Sequence, residues 1–203
     1  MFEHRRGTGD EGHARQEAAV AERTGGAAAP VLEPCRLADG RTVAFRRATA
    51  LDADALRRFY LGLSPRTLLL RFMTPTPRLP ESSIAYLCDV RHTDREVVLA
   101  TLGSEIVGEG RFHRLDGARE AEVALVVADA WQGLGIGRAL SARLAGMAAL
   151  RGISAFTGTM LSDNAAARGL LGSMVPGASR RVVSGELEFR SPLAGVSTER
   201  PTR

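Results

Sequence analysis

Residues 121–150 read AEVALVVADAWQGLGIGRALSARLAGMAAL. Residues 121–128 alternate small and branched apolar side chains around one acid, Glu122, which is a strand pattern. Farther on, Leu140, Leu144, Met147 and Ala148 fall at i, i+4, i+7 and i+8, the apolar stripe of an amphipathic helix. Between them, Gln132-Gly133-Leu134-Gly135-Ile136-Gly137-Arg138 places a glycine at every second position. Glycines are costly inside a helix. They mark a turn joining a strand's carboxyl end to a helix's amino end.

Such a turn can bind anions. The first amides of a helix lack intrahelical partners, and the helix dipole is positive there. Glycine lets a ligand approach those amides without a Cβ in the way. The stretch therefore reads as a pyrophosphate cradle, with Arg138 adding a cation; the bland alternative is a Gly-rich turn that binds nothing. No GxxxxGK[ST] string is present, and GxGxxG fails from either Gly133 or Gly135.

The residues fit the pattern Q/R-x-x-G-x-G/A through Gln132, Gly135 and Gly137. With its flanking strand and helix, the stretch resembles the acetyl-CoA signature of the GNAT N-acetyltransferase superfamily. The resemblance implies that the strand before the loop carries a bulge and splays from its neighbour. It also implies that the backbone at Leu125, Val126 and Val127 pairs with the pantetheine arm. The loop amides of Gly133, Leu134, Gly135, Ile136, Gly137 and Arg138 would hold the pyrophosphate.

A chain of 203 residues suffices for one α/β domain with a core and some tail. No apolar run approaches the roughly 20 residues that span a bilayer, and the amino end lacks a signal-peptide core. A cytoplasmic, non-membrane protein is expected. The cysteines, Cys35 and Cys88, suggest neither a disulfide framework nor a metal site. The net charge is +4, but without an arginine run or aromatic-interleaved basic segment nucleic acid is not expected as a partner. All 27 Lys-plus-Arg residues are arginine, so the protein offers no side-chain amine of its own.

Residues 1–34, rich in Gly, Ala, Arg and Glu, are expected to be a disordered tail, and 194–203 a frayed end. The domain is expected over 35–193. A hairpin turns at Asp39-Gly40, and Thr49 with Asp52 forms a capping-box variant before the stripe Leu56, Phe59, Tyr60, Leu63. Ser64-Pro65 opens a second helix. Pro75, Pro77 and Pro80 break the chain before a third helix over 81–90. Strands 95–102, 105–115 and 120–128 make an antiparallel meander. After the glycine loop and its helix come a strand over 153–161, a helix over 163–174, and a hairpin turning at Ser184-Gly185. The fold class is α/β (α+β): a mixed, mostly antiparallel sheet flanked by helices, with one βαβ unit. This order over residues 36–193 is that of the GNAT fold. LSPRTLLLRFM, AEVALVV and MLSDN resemble the bacterial protein-lysine acetyltransferase branch, whose domains acetylate acyl-CoA synthetases.

Acetyl transfer needs a neutral amine and hence a base. Glu122 shares a strand face with Ala124 and Val126, and an acid alone among apolar neighbours should have a raised pKa. The resemblance assigns the matching glutamate as base; a solvated or arginine-paired glutamate is the alternative. Asn164 reads as a helix N-cap, and in GNAT proteins an asparagine there contacts pantetheine. The general-acid tyrosine many GNAT enzymes carry on the following helix is missing, and Gly172–Gly177 departs from their usual ending. His92 and His113 read as surface histidines. The expectation is an acetyl-CoA-dependent N-acetyltransferase, metal-free, acting on a protein lysine with an acceptor such as an acyl-CoA synthetase. The alternatives are a non-catalytic acyl-CoA-binding module and a small-molecule amine acetyltransferase.

Overall fold

Asp39-Gly40 turns β1 (Cys35–Arg36) back onto β2 (Thr42–Arg47) in a computed structural model describing residues 32–74, 81–89, 94–174 and 178–193. A short 3-10 turn at Ala50–Asp52 leads into α1 (Ala53–Leu61), then α2 (Pro65–Phe72) and α3 (Glu81–Cys88). The meander follows as β3 (Arg95–Leu102), β4 (Glu105–Arg114) and β5 (Glu120–Val127). A second 3-10 turn at Asp129–Trp131 precedes α4 (Ile136–Leu150), β6 (Ala155–Leu161), α5 (Ala165–Met174), β7 (Ser179–Val183) and β8 (Glu186–Pro192). The sheet order is β1-β2-β3-β4-β5-β6-β8-β7. Only the β5–β6 pair is parallel, and α4 makes that crossover. This is the expected mixed, mostly antiparallel sheet with one βαβ unit.

Helices cover both faces. The stripe of α4, with Leu140, Leu144 and Met147, packs with Val43, Phe45, Val98 and Phe112 of the strands. On the opposite face Leu56, Phe59 and Tyr60 of α1, with Ile84 and Leu87 of α3, meet Val97, Leu99 and Val126. Strand β4 shows how tightly α4 lies. A Cβ added at Gly110 would stand 2.9 Å from Leu144 Cδ1, so a larger residue there would have to displace that side chain. Between Gly108 and Gly110, Glu109 points the other way, toward Tyr60.

The expected elements all form, with edges moved by local hydrogen bonds. Strand β6 starts two residues late because the Ile153 amide closes the end of α4 on Ala148, and that of Ser154 bonds Arg119. The expected bulge in β5 is not there: its register against β4 runs unbroken from Ala121 to Val127. The irregularity lies between β3 and β4, at Ala100/Thr101. The domain's contacts begin before Cys35, since Leu32 packs on the α4-side core and Arg143 donates to the Glu33 carbonyl. The expectations for residues 1–31, Pro75, Pro77, Pro80, His92 and 194–203 fall outside the described residues.

Candidate active site

The sheet opens beside β5. Strands β5 and β6 pair only at Glu120–Glu122 with Ala155–Thr157, so from Val123 onward β5 has a free edge on that side. Phe189 of β8 stands at the parting. Its ring atoms lie 2.8 Å from where a Gly158 Cβ would be, with the Val123 carbonyl 3.2 Å from that point. A side chain at 158 would push the ring out.

A groove of about 400 Å³ runs along the free edge. Leu125, Val126 and Val127 form one wall, the loop from Gln132 to Arg138 one end, and α2 and α5 the far wall. Gly133 and Gly135 take φ of +76° and +95°, left-handed conformations that cost L-residues about 1–2 kcal/mol. Gly135 is the N-cap of α4 and supplies no side-chain cap. The first turn holds Arg138 and no acid, the reverse of what the helix dipole favours. An anion at this end would satisfy the amides, the dipole and the exposed guanidinium together.

The other loop residues divide between ligand and core. Ile136 is fully buried in the α4-side core and Leu134 packs against it, leaving their backbones to the groove. Gln132 turns its side chain away from the loop's open side, its amide donating to Thr67 Oγ1 and the Val127 carbonyl, each at 3.0 Å. That contact belongs to a clamp built from residues far apart in the chain. Asp129 accepts from the Ser64 hydroxyl at 2.6 Å, the Ser64 amide at 2.9 Å and the Thr67 hydroxyl at 2.7 Å. Partial burial pushes the Asp129 carboxyl up, but the Ser64 and Thr67 bonds outweigh it and hold it below its usual range. Ser64 also caps α2, as expected, accepting from the Thr67 amide. The start of α2 is thus bolted to the loop across more than 60 residues, a distance no local pattern reveals.

Asn164 is the expected cap and also faces the groove. It caps α5 by accepting from the Ala167 amide at 3.1 Å, and it lines the groove opposite Leu125 to Val127. Beside it, Asp163 pairs with Arg66 of α2 at 3.2 Å.

Glu122 departs from expectation. Its surroundings are not apolar: the side chain is exposed, because β6 pairing ends there and no helix covers it. It has no hydrogen bond or ion pair among the described residues. Its cross-strand neighbours are His113 on β4 and Thr157 on β6. His113 is also exposed, with its ring edge-on to Tyr86 at 6.3 Å. Three residues of strand, about 10 Å, separate Glu122 from Leu125, room for an acceptor amine and a bridging water. The other strand acids are engaged or remote. Glu109 is buried and accepts from Tyr60 at 2.8 Å, Glu120 accepts from Arg190 at 2.8 Å, and Glu105 lies at the β3–β4 turn. Burial and the Glu109 charge hold the Tyr60 phenol above its usual range, so it is a poor proton donor. No tyrosine lies on α5. Among the described residues no cluster of three metal-binding side chains occurs, and no helix is long and apolar enough to cross a membrane.

Known proteins resemble this chain in sequence and in fold. The acetyltransferase (GNAT) family matches residues 65–174, 110 of the 203. Acetyltransferase Pat of Mycolicibacterium smegmatis is 31% identical over 144 residues, and the match covers 68% of this chain but only 42% of that protein. The GNAT domain of S. lividans PAT superposes with a TM-score of 0.73 at 30% identity, covering 79% of this chain and 96% of that one. The yncA structure from Salmonella typhimurium, with its cofactor acetyl-CoA, matches in fold at TM-score 0.62 and 21% identity, covering 79% and 99%. The chain belongs to the GNAT family of acetyltransferases.

Proposed function

We propose that this domain transfers an acetyl group from acetyl-CoA to a lysine on another protein, with Glu122 as general base. One observation carries the reading: an open β5 edge leads from an uncapped, cationic helix start to an exposed, unpartnered carboxylate. The pyrophosphate sits on the loop amides from Gly133 to Arg138, and the pantetheine arm runs between Leu125–Val127 and Asn164. Glu122, directly or through water, takes the proton of the incoming ammonium. The amine then attacks the thioester carbonyl; the C–N bond forms, the C–S bond breaks, and the nitrogen's second proton passes through solvent to the departing thiolate. Exposure of Glu122 and His113 favours an amine presented on a macromolecular surface over one that must be enclosed. The resemblance of LSPRTLLLRFM, AEVALVV and MLSDN to the protein-lysine acetyltransferase branch supports the same choice, and an acyl-CoA synthetase is the acceptor to try first.

The test is thiol release from acetyl-CoA across a panel of acyl-CoA synthetases, polyamines and amino acids. Acceptor-dependent release with a synthetase, and acetyl-lysine on it by mass spectrometry, is the expected result. CoA binding without turnover on any acceptor would leave a non-catalytic acyl-CoA module. Turnover only on small amines would move the acceptor to that class.

A further inference from the structure

The groove continues past Leu125. A second cavity of about 150 Å³ runs from it into the gap between β5 and β6, sharing Leu70, Arg71, Leu125 and Asn164 with it. Val123, Phe156, Met160 and Phe189 give it apolar walls, and Ser141 and Ser191 add hydroxyls. Arg71 of α2 is the one charged residue on those walls. Its Nε and Nη2 are buried and have no hydrogen-bond partner, and no acid among the described residues pairs with it. Its ring contact is Phe72, at 5.1 Å. Glu109, a buried acid on the α1–α3 side, accepts from Tyr60 with one oxygen, and its other oxygen is buried without a partner.

Two buried guanidinium nitrogens without an acceptor are costly to keep. Keeping them becomes favourable when a carboxylate arrives, because the planar fork takes two oxygens at once. Glu122 does not line this cavity, so the acceptor amine enters from elsewhere. The substrate part that reaches the cavity from the pantetheine side is the acyl group. Acetyl is too short to fill it. A cavity of this size holds about a benzene ring, and succinyl exceeds acetyl by only four heavy atoms. A neutral chain such as butyryl suits the walls but would seal Arg71 away without a partner.

We propose that the inner cavity accepts short dicarboxylic acyl groups, of which succinyl is the type, with the distal carboxylate held by Arg71. This rests on the groove being the acyl-CoA site. The transfer balances as for acetyl: one ammonium proton goes to Glu122 and then solvent, the amine nitrogen bonds the thioester carbon, the C–S pair leaves with sulfur, the nitrogen's second proton passes through solvent to the thiolate, and the distal carboxylate is unchanged. A modified lysine then goes from one positive charge to one negative.

The experiment compares acetyl-, butyryl- and succinyl-CoA on the full chain, by calorimetry for binding and kcat/KM with one lysine-bearing acceptor. Wild type should favour succinyl over butyryl by about tenfold or more, the worth of a charge-assisted bond. Arg71→Gln should abolish that ratio, and Arg71→Lys should restore part of it. A wild-type preference for butyryl, or a ratio unmoved by Arg71→Gln in a folded variant that binds CoA, overturns the assignment. Failure of wild type to bind CoA itself would instead remove the groove reading, and this one with it.

Discussion

Two glutamates share one face of neighbouring strands and meet opposite fates. Glu109 on β4 lies across from Val126, and Glu122 on β5 across from His113. Val126 and Glu122 are four residues apart, so both acids face the α1–α3 side. Each stands alone among apolar neighbours, in GEG and AEV. Glu109 is fully buried and bonded to Tyr60; Glu122 is exposed with no partner. Alternation tells which face a side chain takes but not how far the covering helices extend. The burial expected around Glu122 surrounds Glu109 instead. The base reading of Glu122 now rests on position beside the open edge.

The largest effect should separate the two acids directly. Glu122→Gln keeps size and hydrogen bonding but takes no proton, and should slow acyl transfer about 100- to 10,000-fold at neutral pH. CoA affinity should hold, since the cradle lies at the other end of β5. Higher pH should partly rescue the variant because the amine then deprotonates unaided. Near wild-type turnover at neutral pH with saturating acceptor would exclude Glu122. If Glu109→Gln, folded, showed that loss instead, the buried acid would be the base.

The next effect concerns the ends of β5. Gly135→Leu forces a side chain into φ +95° with open space around it, so strain and ligand blockage act together rather than a clash within the protein. CoA affinity should fall about 10- to 100-fold, the worth of one or two bonds to a charged group. Calorimetry on a folded variant decides it; unchanged affinity would move the pyrophosphate off this loop.

Glu109 should matter to the fold. Glu109→Ala strands the Tyr60 hydroxyl in the core and should lower stability by about 1–3 kcal/mol, read by urea unfolding. Glu109→Gln can still accept that bond and should cost less. Equal losses would mean that packing, not the hydroxyl bond, holds this part of the core.

The local chemistry of the site was legible in the chain because it is written in adjacent residues. Glycine spacing marked the loop, the Leu140–Ala148 stripe marked α4, and Ser64-Pro65 and Asn164 marked caps by side chains that bond amides three residues on. What stayed hidden is held by contacts far apart in sequence. The Asp129 clamp joins residues 64 and 67 to 129 and 132. Gly110 is read as a packing residue only once Leu144 is seen above it. Arg71 looked like one arginine of a helix until β5 and β6 parted beneath it.

The smallest effect lies away from the site and follows from a third acid. Asp52 accepts a fork from Arg46 at 2.8 and 2.5 Å, and also the Thr49 amide at 2.7 Å and hydroxyl at 2.9 Å. The Arg46 bonds first, then those of Thr49, outweigh the cost of burial and lower its carboxyl from 3.8 to about 2. A carboxyl depressed by folding stabilises above its unfolded pKa, and that contribution is lost as pH falls through the folded value. The loss should therefore spread from about pH 4 down to about pH 2, with Asp129 adding in the same direction. Asp52→Asn should cost about 1 kcal/mol at neutral pH, the scale of a lost cap, and flatten the acid limb of the stability curve. Because Arg46 is half exposed, salt should screen part of that cost. Unfolding free energies of the two proteins at pH 7, 4 and 2.5 give the test. Parallel curves would show that Asp52, unlike Glu109, is an acid whose bonds the fold does not use.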